Sequence, residues 1–178
     1  ISKDDCSELF DNVDYVFHLA ARSRIQPTIE SPDECFKVNV IGTQRVLEWA
    51  RISSVKRVIY SGTSSLYGHQ NQIPFSPNMP ADCLNPYSMS KWMGENVCKL
   101  YSQLYDVPSI VLRYFNVYGL GEDHKNEQSS PVHKFISQSR TKGEIKVFKG
   151  SKEFLRDFIH VDDVVSATLA AKNFSSQP

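Results

Sequence analysis

Lys56-Arg-Val-Ile-Tyr60, followed directly by Ser61-Gly-Thr-Ser-Ser65, is the stretch that most clearly indicates how this chain folds. An apolar run that ends in small polar residues is typical of a buried β-strand that stops at a sheet edge. Comparable short apolar runs lie before it, at 13–19, and after it, at 109–114. The sequence therefore predicts three buried strands.

Helices are predicted between these strands. Ser31 and Pro32 resemble an N-cap followed by proline at the first helical position, which opens a helix to about residue 50. A second helix is predicted from about 87 to 105. A strand–helix–strand–helix–strand order implies right-handed crossovers, so we predict an α/β fold with a doubly wound parallel sheet. Ligands of such sheets lie beyond the carboxyl ends of the strands, here near 18–23, 61–68 and 114–125.

The rest of the chain gives shorter patterns. Loops are predicted at 69–86, which contains four prolines, and at 119–130, which is polar. Four further elements are predicted: a helix at 131–140, strands at 145–148 and 158–161, and a helix at 162–172. We expect one domain over 1–118 and a second region over 119–178, which returns to the first domain near 156–172.

Composition excludes several classes of function. The 178 residues carry 20 Lys and Arg and 20 Asp and Glu, and this balance provides no general field for nucleic acid or an anionic membrane. No run of about 18 apolar residues is present, so no transmembrane helix is predicted. The four cysteines form no CxxC pair, which is typical of reduced thiols in a cytoplasmic protein. No histidine has the spacing of a metal site, so no metal is expected.

Thr63, Tyr87 and Lys91 are the residues that point to chemistry. Tyr87 and Lys91 are four residues apart at the start of a predicted helix, so both project from one face. A phenol is a poor base at pH 7, but a neighbouring ammonium favours the phenolate and lowers its pKa. Thr63, at a strand end, can bond the same substrate oxygen. This apparatus can take a proton from an alcohol while hydride leaves the carbon, although a Tyr-x-x-x-Lys pair alone also occurs by chance.

That pair lies in one of six motifs, which follow one another in this order: His18-Leu-Ala-Ala21, Asn39-Val-Ile-Gly-Thr43, Ser61-Gly-Thr-Ser-Ser-Leu-Tyr-Gly68, Pro86-Tyr-Ser-Met-Ser-Lys91, Arg113-Tyr-Phe-Asn-Val-Tyr-Gly119 and Arg156-Asp-Phe-Ile-His-Val-Asp-Asp163. Together they resemble the extended short-chain dehydrogenase/reductase family, the NAD-dependent epimerases and dehydratases of sugar nucleotides. The resemblance covers nearly the whole chain. It implies a Rossmann-like domain over 1–118 that binds NAD or NADP, and part of a small substrate-binding region over 119–178.

The resemblance also implies roles for individual residues. Tyr87 matches the catalytic tyrosine, Lys91 the lysine that also holds the nicotinamide ribose, and Thr63 the family's Ser or Thr. Other cofactor-binding residues implied in this way are Leu19, Ala20, Ala21, Asn39, Ser61 and Val117. Asn116 matches an asparagine that touches the sugar nucleotide. Arg156 matches an arginine that pairs with the pyrophosphate, since a guanidinium binds phosphate oxygens in a two-pronged geometry.

The second half of the chain is similar to ADP-glycero-manno-heptose 6-epimerase, an enzyme of lipopolysaccharide precursor synthesis. That resemblance implies a second acid–base group at Lys125 and substrate contacts at Lys134, Phe148, Lys149, Gly150 and Ser151. The first half has only the generic family pattern, and Ser64 and Ser65 stand where the family's dehydratases usually carry an acidic pair. We therefore expect the heptose epimerase, which inverts a sugar carbinol by transient oxidation and hydride return.

Two alternatives stay open: a UDP-glucose 4-epimerase or a similar nucleotide-sugar enzyme, and a non-catalytic dinucleotide-binding sensor or structural subunit. The chain has no Gly-x-x-Gly-x-x-Gly turn between an opening strand and helix, so we expect a fragment that is inactive in isolation. The region that separates NAD from NADP use is missing with it. The resemblance further implies a homo-oligomer of the full-length protein, paired through the helices that begin near 31 and 87.

Overall fold

The computed structural model describes residues 5–69, 73–123, 125, 129–147, 149–151 and 155–174. The chain divides into two units, Ile1–Arg113 with Ala170–Pro178, and Tyr114–Leu169. Each unit contains a pair of parallel strands.

Three strands form the first sheet, in the order β1 (Tyr15–His18), β2 (Arg57–Thr63) and β3 (Ser109–Tyr114). β1 and β2 run parallel, and His18 lies opposite Tyr60. The central strand is buried along Val58, Ile59 and Tyr60, because strands of a covered parallel sheet are apolar on both faces. The predicted α/β class with a parallel sheet is confirmed.

The helix predicted after Ser31 consists of several parts. α2 (Pro32–Phe36) and α3 (Gly42–Ile52) are joined by a π-helical turn, Lys37–Ile41. Such a turn disturbs the regular backbone hydrogen bonds, and the carbonyl of Asn39 instead accepts a bond from Thr43 Oγ1 at 2.6 Å. The sequence also missed α1 (Ile25–Glu30), since Pro27 indicates a break. Proline is tolerated there because a first-turn N–H has no helical partner.

The helix predicted at 87–105 is α4 (Pro86–Tyr105). Its start is defined by a capping box, in which Asn85 Oδ1 accepts the Ser88 N–H at 2.9 Å and Ser88 Oγ accepts the Asn85 N–H at 3.3 Å. Pro86 occupies the first position, where its fixed φ suits a helix. The buried residues of α4 are Ser88, Ser90, Lys91, Gly94, Glu95, Cys98, Tyr101 and Ser102. Two charged side chains thus face inward.

An apolar cluster packs α3 and α4 against the sheet. Its buried members are Phe10, Val46, Leu47, Trp49, Ala50, Val55, Val58, Tyr60, Cys98, Tyr101 and Val107. Dense packing of this kind holds β2 and α4 in a defined position against each other. None of the helices within the described residues is long and apolar enough to span a membrane.

The second unit contains β4 (Asn116–Tyr118), which pairs in parallel with β5 (Phe158–His160). α5 (Pro131–Lys142) begins after Ser130, whose Oγ accepts the His133 N–H at 3.2 Å. α6 (Val161–Ala171) follows β5. The predicted helices at 131–140 and 162–172 are confirmed.

The strand predicted at 145–148 is wrong over 145–147, and Phe148 lies outside the described residues. Ile145 and Val147 are 48% and 58% exposed. A strand needs a neighbour for its backbone groups, and none of the described strands pairs with this segment. The alternating apolar residues at 145–147 therefore do not form a strand.

Candidate active site

Thr63, Tyr87 and Lys91 come together because β2 ends where α4 begins. Thr63 is the last residue of β2, and Tyr87 and Lys91 stand one turn apart at the start of α4. The Thr63 hydroxyl lies close enough to the Tyr87 phenol to lower its pKa. Thr63 and Lys91 are buried, and Tyr87 is half-buried. Thr63 thus lies at one end of the first sheet beside a helix start that is more than 20 residues away in sequence, as the sequence predicts.

The acidity of Tyr87 differs from the sequence-based expectation. Burial raises the pKa of the Tyr87 phenol, and this effect exceeds the lowering by the Thr63 hydrogen bond and by the charge of Arg24. The expectation that Lys91 lowers this pKa is therefore wrong. Tyr87 carries its proton at neutral pH.

The ammonium of Lys91 explains this difference, because it lies against another tyrosine. Lys91 Nζ is 4.0 Å from the ring centroid of Tyr60. Burial lowers the pKa of Lys91 to about 8, while the charges of Cys98 and Glu95 raise it. Among the described residues no acceptor is hydrogen-bonded to Nζ, so its three N–H donors are available to a ligand.

Asn39 holds the loop that follows β1. Its Oδ1 accepts the Arg22 N–H at 2.7 Å, and its Nδ2 donates to the Arg22 carbonyl at 3.0 Å and to Ser90 Oγ at 2.9 Å. Asn39 is buried, whereas Leu19 and Ala20, both predicted to line the cofactor, are exposed at the strand end. The predicted cofactor residue Asn39 thus also ties this loop to α4, which sequence reasoning missed.

Two other predicted cofactor residues, Ala21 and Ser61, also belong to the first unit. Ala21 is half-buried and precedes the clamped Arg22. Ser61 lies inside β2, two residues before its end, because the strand is longer than the apolar run indicates.

A buried ion pair beside Lys91 was also missed. Glu95 accepts bonds from Arg113 Nε at 3.1 Å and Nη2 at 2.9 Å, and Arg113 Nη1 donates to the Tyr67 hydroxyl at 3.0 Å. Burial raises the pKa of the Glu95 carboxyl, and Arg113 acts against this rise. Both residues lie in motifs or helices that the sequence identified, but only the fold shows that they meet.

The predicted residues of the second unit are held mainly by backbone contacts. Asn116 Nδ2 donates to the Asp157 carbonyl at 2.8 Å, beside the β4–β5 pair, and Val117 lies in β4. The exposed Arg156 has one bond among the described residues, from Nη1 to the Leu155 carbonyl at 2.9 Å. Lys134 is half-buried in α5. Lys149, Gly150 and Ser151 form a short turn, and the predicted contact Phe148 lies outside the described residues.

Lys125 lies beside a carboxylate that organises its loop. Glu122 accepts bonds from the Gly119 N–H at 3.3 Å, the Ser130 N–H at 2.7 Å and Ser130 Oγ at 2.8 Å. Lys125 Nζ is 3.9 Å from Glu122 Oε2, and the lysine side chain is 42% exposed. Glu122, which sequence reasoning missed, joins the two ends of the loop from which Lys125 projects.

No group of three or more His, Cys, Asp or Glu residues within the described ranges is arranged to hold a metal ion. The cysteines Cys6, Cys35, Cys83 and Cys98 are free thiols.

Comparison with known proteins identifies relatives of the whole chain. The model of the NAD dependent epimerase/dehydratase family matches residues 1–177. A putative UDP-glucose 4-epimerase of Methanocaldococcus jannaschii is 34% identical over 169 residues, which are 94% of this chain and 55% of that protein. The chain therefore spans about half the length of the curated relatives it matches.

Solved structures of epimerases also match nearly the whole chain. The UDP-N-acetylglucosamine 4-epimerase of Methanobrevibacter ruminantium M1, in complex with UDP-N-acetylmuramic acid, superposes with a TM-score of 0.91 at 27% identity, over 98% of this chain and 56% of that one. The UDP-glucuronic acid 4-epimerase of Bacillus cereus, in complex with UDP-glucuronic acid and NAD, superposes with a TM-score of 0.83 at 28% identity, over 98% and 54%. All three named relatives are UDP-sugar 4-epimerases, so the comparisons do not support the heptose 6-epimerase prediction.

Proposed function

The chain belongs to the NAD-dependent epimerase/dehydratase family, and we propose that it carries the proton-transfer site of a UDP-sugar 4-epimerase. The closeness of the half-buried Tyr87 phenol at the start of α4 to the Thr63 hydroxyl at the end of β2 supports this proposal. A phenol and a hydroxyl thus stand together at the carboxyl end of the sheet, where both can bond one substrate oxygen during proton transfer from an alcohol.

In this proposal Tyr87 exchanges a proton with the C4 hydroxyl of the sugar, and Thr63 bonds the same oxygen and orients it. The phenol is protonated in the free protein because burial raises its pKa, so it serves as a base only when positive charge is brought near it. Tyr87 accepts the proton as the phenolate, and returning the proton to the C4 oxygen after the sugar has presented its other face restores that phenolate. An epimerase needs no further acid–base pair, which agrees with Ser64 and Ser65 after Thr63.

NAD is the proposed cofactor, and it supplies reversible hydride acceptance when bound. The residues fit it at Lys91, whose buried ammonium has no hydrogen-bond acceptor among the described residues. Such donors suit the hydroxyl groups of a ribose. Leu19, Ala20, Ala21, Ser61 and Val117 stay proposed as cofactor contacts, with Asn39 as the residue that also holds the loop.

A UDP-sugar is the proposed substrate, since the named relatives are UDP-sugar 4-epimerases. Arg156 supports binding of a pyrophosphate because its guanidinium is exposed and makes one bond among the described residues. Asn116, Lys134, Lys149, Gly150 and Ser151 stay proposed as substrate contacts.

Self-association and location are also proposed. Trp92, Met93, Leu100 and Leu104 leave an apolar surface on α4, between 36% and 64% exposed, which supports pairing of this helix with a second copy. Four free thiols support a reducing compartment, the cytoplasm.

The experiment incubates the full-length protein with UDP-glucose, UDP-N-acetylglucosamine, UDP-glucuronic acid and ADP-glycero-manno-heptose, and follows the sugar protons by NMR. We expect inversion at C4 of a UDP-sugar. Inversion of the heptose at C6 would contradict the proposal, and NAD binding without turnover of any sugar would favour the non-catalytic alternative.

Tyr87→Phe tests the residue that carries the proposal. Removing the hydroxyl takes away the proton acceptor, so we expect turnover to fall by about 10²–10⁴-fold with NAD binding retained. Tyr105→Phe, at the exposed end of the same helix, is the matched control and should keep full turnover. Retained turnover in Tyr87→Phe would rule out the assigned role.

A further inference from the structure

Tyr60 is a completely buried aromatic residue that no part of the proposed reaction uses. It lies in β2, three residues before Thr63, and its ring is 0% exposed. The ring face is directed at Lys91, whose Nζ is 4.0 Å from the centroid. An ammonium at this distance from an aromatic face is attracted by the ring quadrupole, and the attraction is strongest when water is excluded.

The hydroxyl of Tyr60 contacts the backbone of the same lysine. It donates a hydrogen bond to the Lys91 carbonyl oxygen at 3.3 Å. Burial raises the pKa of the Tyr60 phenol, so the hydroxyl keeps its proton and stays a donor. One side chain of β2 therefore contacts both the charged end of Lys91 and the helical turn from which it projects.

Gly94 makes this double contact possible. A methyl group at position 94 would overlap the Tyr60 hydroxyl and lie 2.8 Å from its Cζ. Glycine costs helix stability relative to alanine, and position 94 lies inside α4, far from either end. Its presence there is explained by the space that the Tyr60 ring and hydroxyl require.

Free lysine side chains are flexible, with four rotatable bonds and a mobile charge. The ammonium of Lys91 is surrounded by groups from three elements. These are Glu95 and Cys98 on α4, His18 on β1, and Tyr60 on β2. Glu95 is occupied by Arg113, and the imidazole of His18 is neutral because burial and Lys91 lower its pKa to about 4. Tyr60 is in direct contact with the ammonium.

We propose that Tyr60 is a positioning residue for Lys91: its ring holds the ammonium in place, its hydroxyl holds the turn of α4 below it, and Gly94 admits that hydroxyl. This inference rests on the proposed function insofar as Lys91 serves the reaction. It is tested on the free protein without substrate, so its failure and that of the proposed function are distinguishable.

The test measures the titration of Lys91 by NMR in ¹³C- and ¹⁵N-labelled full-length protein. The Lys91 side-chain signal is assigned as the one that Lys91→Arg removes. A ring that stabilises the ammonium favours its charged form, so Tyr60→Leu should lower the Lys91 pKa from about 8 by about one unit or more. An unchanged pKa in folded Tyr60→Leu would overturn the proposal.

Tyr101→Leu is the matched control. Tyr101 is also a buried tyrosine of the same core, but its hydroxyl accepts from Gln44 Nε2 at 2.8 Å and donates to Glu48. Its loss should destabilise the fold and leave the pKa of Lys91 unchanged. A similar pKa change in both variants would mean that loss of packing, rather than the ring face, is responsible.

A second pair of variants keeps the shape of the ring and so avoids dependence on folding of Tyr60→Leu. Tyr60→Phe retains the ring, and a 3,4,5-trifluorophenylalanine at the same position withdraws electron density from its face. We expect the Lys91 pKa to stay near 8 in Tyr60→Phe and to fall in the fluorinated protein. Equal values in the two would contradict a role of the ring.

Gly94→Ala tests the contact of the hydroxyl. The added methyl group should destabilise the protein strongly when Tyr60 is present and less strongly together with Tyr60→Phe, since the overlapping oxygen is then gone. Equal destabilisation in both backgrounds, measured by urea unfolding, would show that Gly94 does not serve the Tyr60 hydroxyl.

Discussion

Two lysines with predicted catalytic roles lie in opposite surroundings. Lys91, on a long capped helix, is 3% exposed and has its ammonium on the ring of Tyr60. Lys125, on a loop, has 42% of its side chain exposed and lies 3.9 Å from a Glu122 carboxylate that already accepts three other bonds. The fold thus fixes the position and lowers the pKa of Lys91, whereas Lys125 has only a loose ion pair in high dielectric.

The arginines of the two regions differ in the same way. Arg113 is bonded to Glu95, Tyr67 and the Pro77 carbonyl, whereas the described contacts of Arg156 consist of one bond to its neighbour Leu155. A guanidinium that is fully occupied by its own protein supports structure, and one left exposed is available to a ligand. Arginine therefore stabilises the fold at position 113, whereas at position 156 it is available to bind a ligand.

Exchange of the two lysines for methionine gives the largest expected contrast. Lys91→Met should lower turnover of the UDP-sugar by about a thousandfold, because it removes the buried ammonium that is proposed to hold the cofactor for the reaction. Lys125→Met should lower it by less than about tenfold, because the loop lysine is exposed and already paired. Steady-state kinetics on both variants check this contrast. A loss in Lys125→Met as large as that in Lys91→Met would restore the acid–base role predicted for Lys125.

The next largest contrast is expected between two ion pairs, Glu95–Arg113 and Glu34–Arg22, in their contribution to the free energy of unfolding. Glu95→Gln leaves Arg113 without its charge partner in a buried place and should destabilise the protein by about 3 kcal/mol. Glu34→Gln breaks a pair with Arg22 in which both side chains are more than half exposed, so the expected change is within about 0.5 kcal/mol. Urea unfolding measures both values. Equal values would show that burial does not distinguish the pairs.

The pH dependence of stability should report on His18 of β1, which lies opposite Tyr60. Burial lowers the pKa of His18 from 6.5 to about 4. Between pH 6.5 and pH 4, His18 is therefore protonated in the unfolded chain but not in the folded protein. Protonation stabilises the unfolded chain, so stability that is present above pH 6.5 is lost as the pH falls towards 4. From this group alone we expect a loss of about 2 kcal/mol between pH 7.5 and 5.

His18→Gln should flatten this part of the stability profile, whereas His69→Gln, at an exposed residue, should leave it unchanged. Unfolding free energies of the three proteins at several pH values provide the comparison. A wild-type slope in His18→Gln would contradict the assignment to His18.

Much of the first region was predictable because its signals are local. Apolar runs of strand length, an Asn85-Pro86 start and a Tyr87-x-x-x-Lys91 spacing are all read within a few neighbouring residues. They correctly predicted β1, β2, β3 and α4, and with them the meeting of Thr63 and Tyr87.

Other features depend on partners that are distant in the chain. The apolar alternation at 145–147 predicted a strand, but no described strand pairs with it. The π-helical turn at Lys37–Ile41 was not predicted either, and it contains Asn39, which bonds to Arg22 and Ser90. Sequence reasoning cannot see such bonds because each joins residues from different elements.

The sequence by itself determined the α/β class and the main elements, and it supplied the candidate reacting groups, because hydrophobic periodicity and residue chemistry are local properties. The tertiary structure alone decided the state of those groups. Burial raises the pKa of Tyr87 and lowers that of Lys91, and the ammonium rests on Tyr60, which the space at Gly94 admits. Desolvation and contacts across the core depend on which distant residues are brought together, and only the folded chain brings them together.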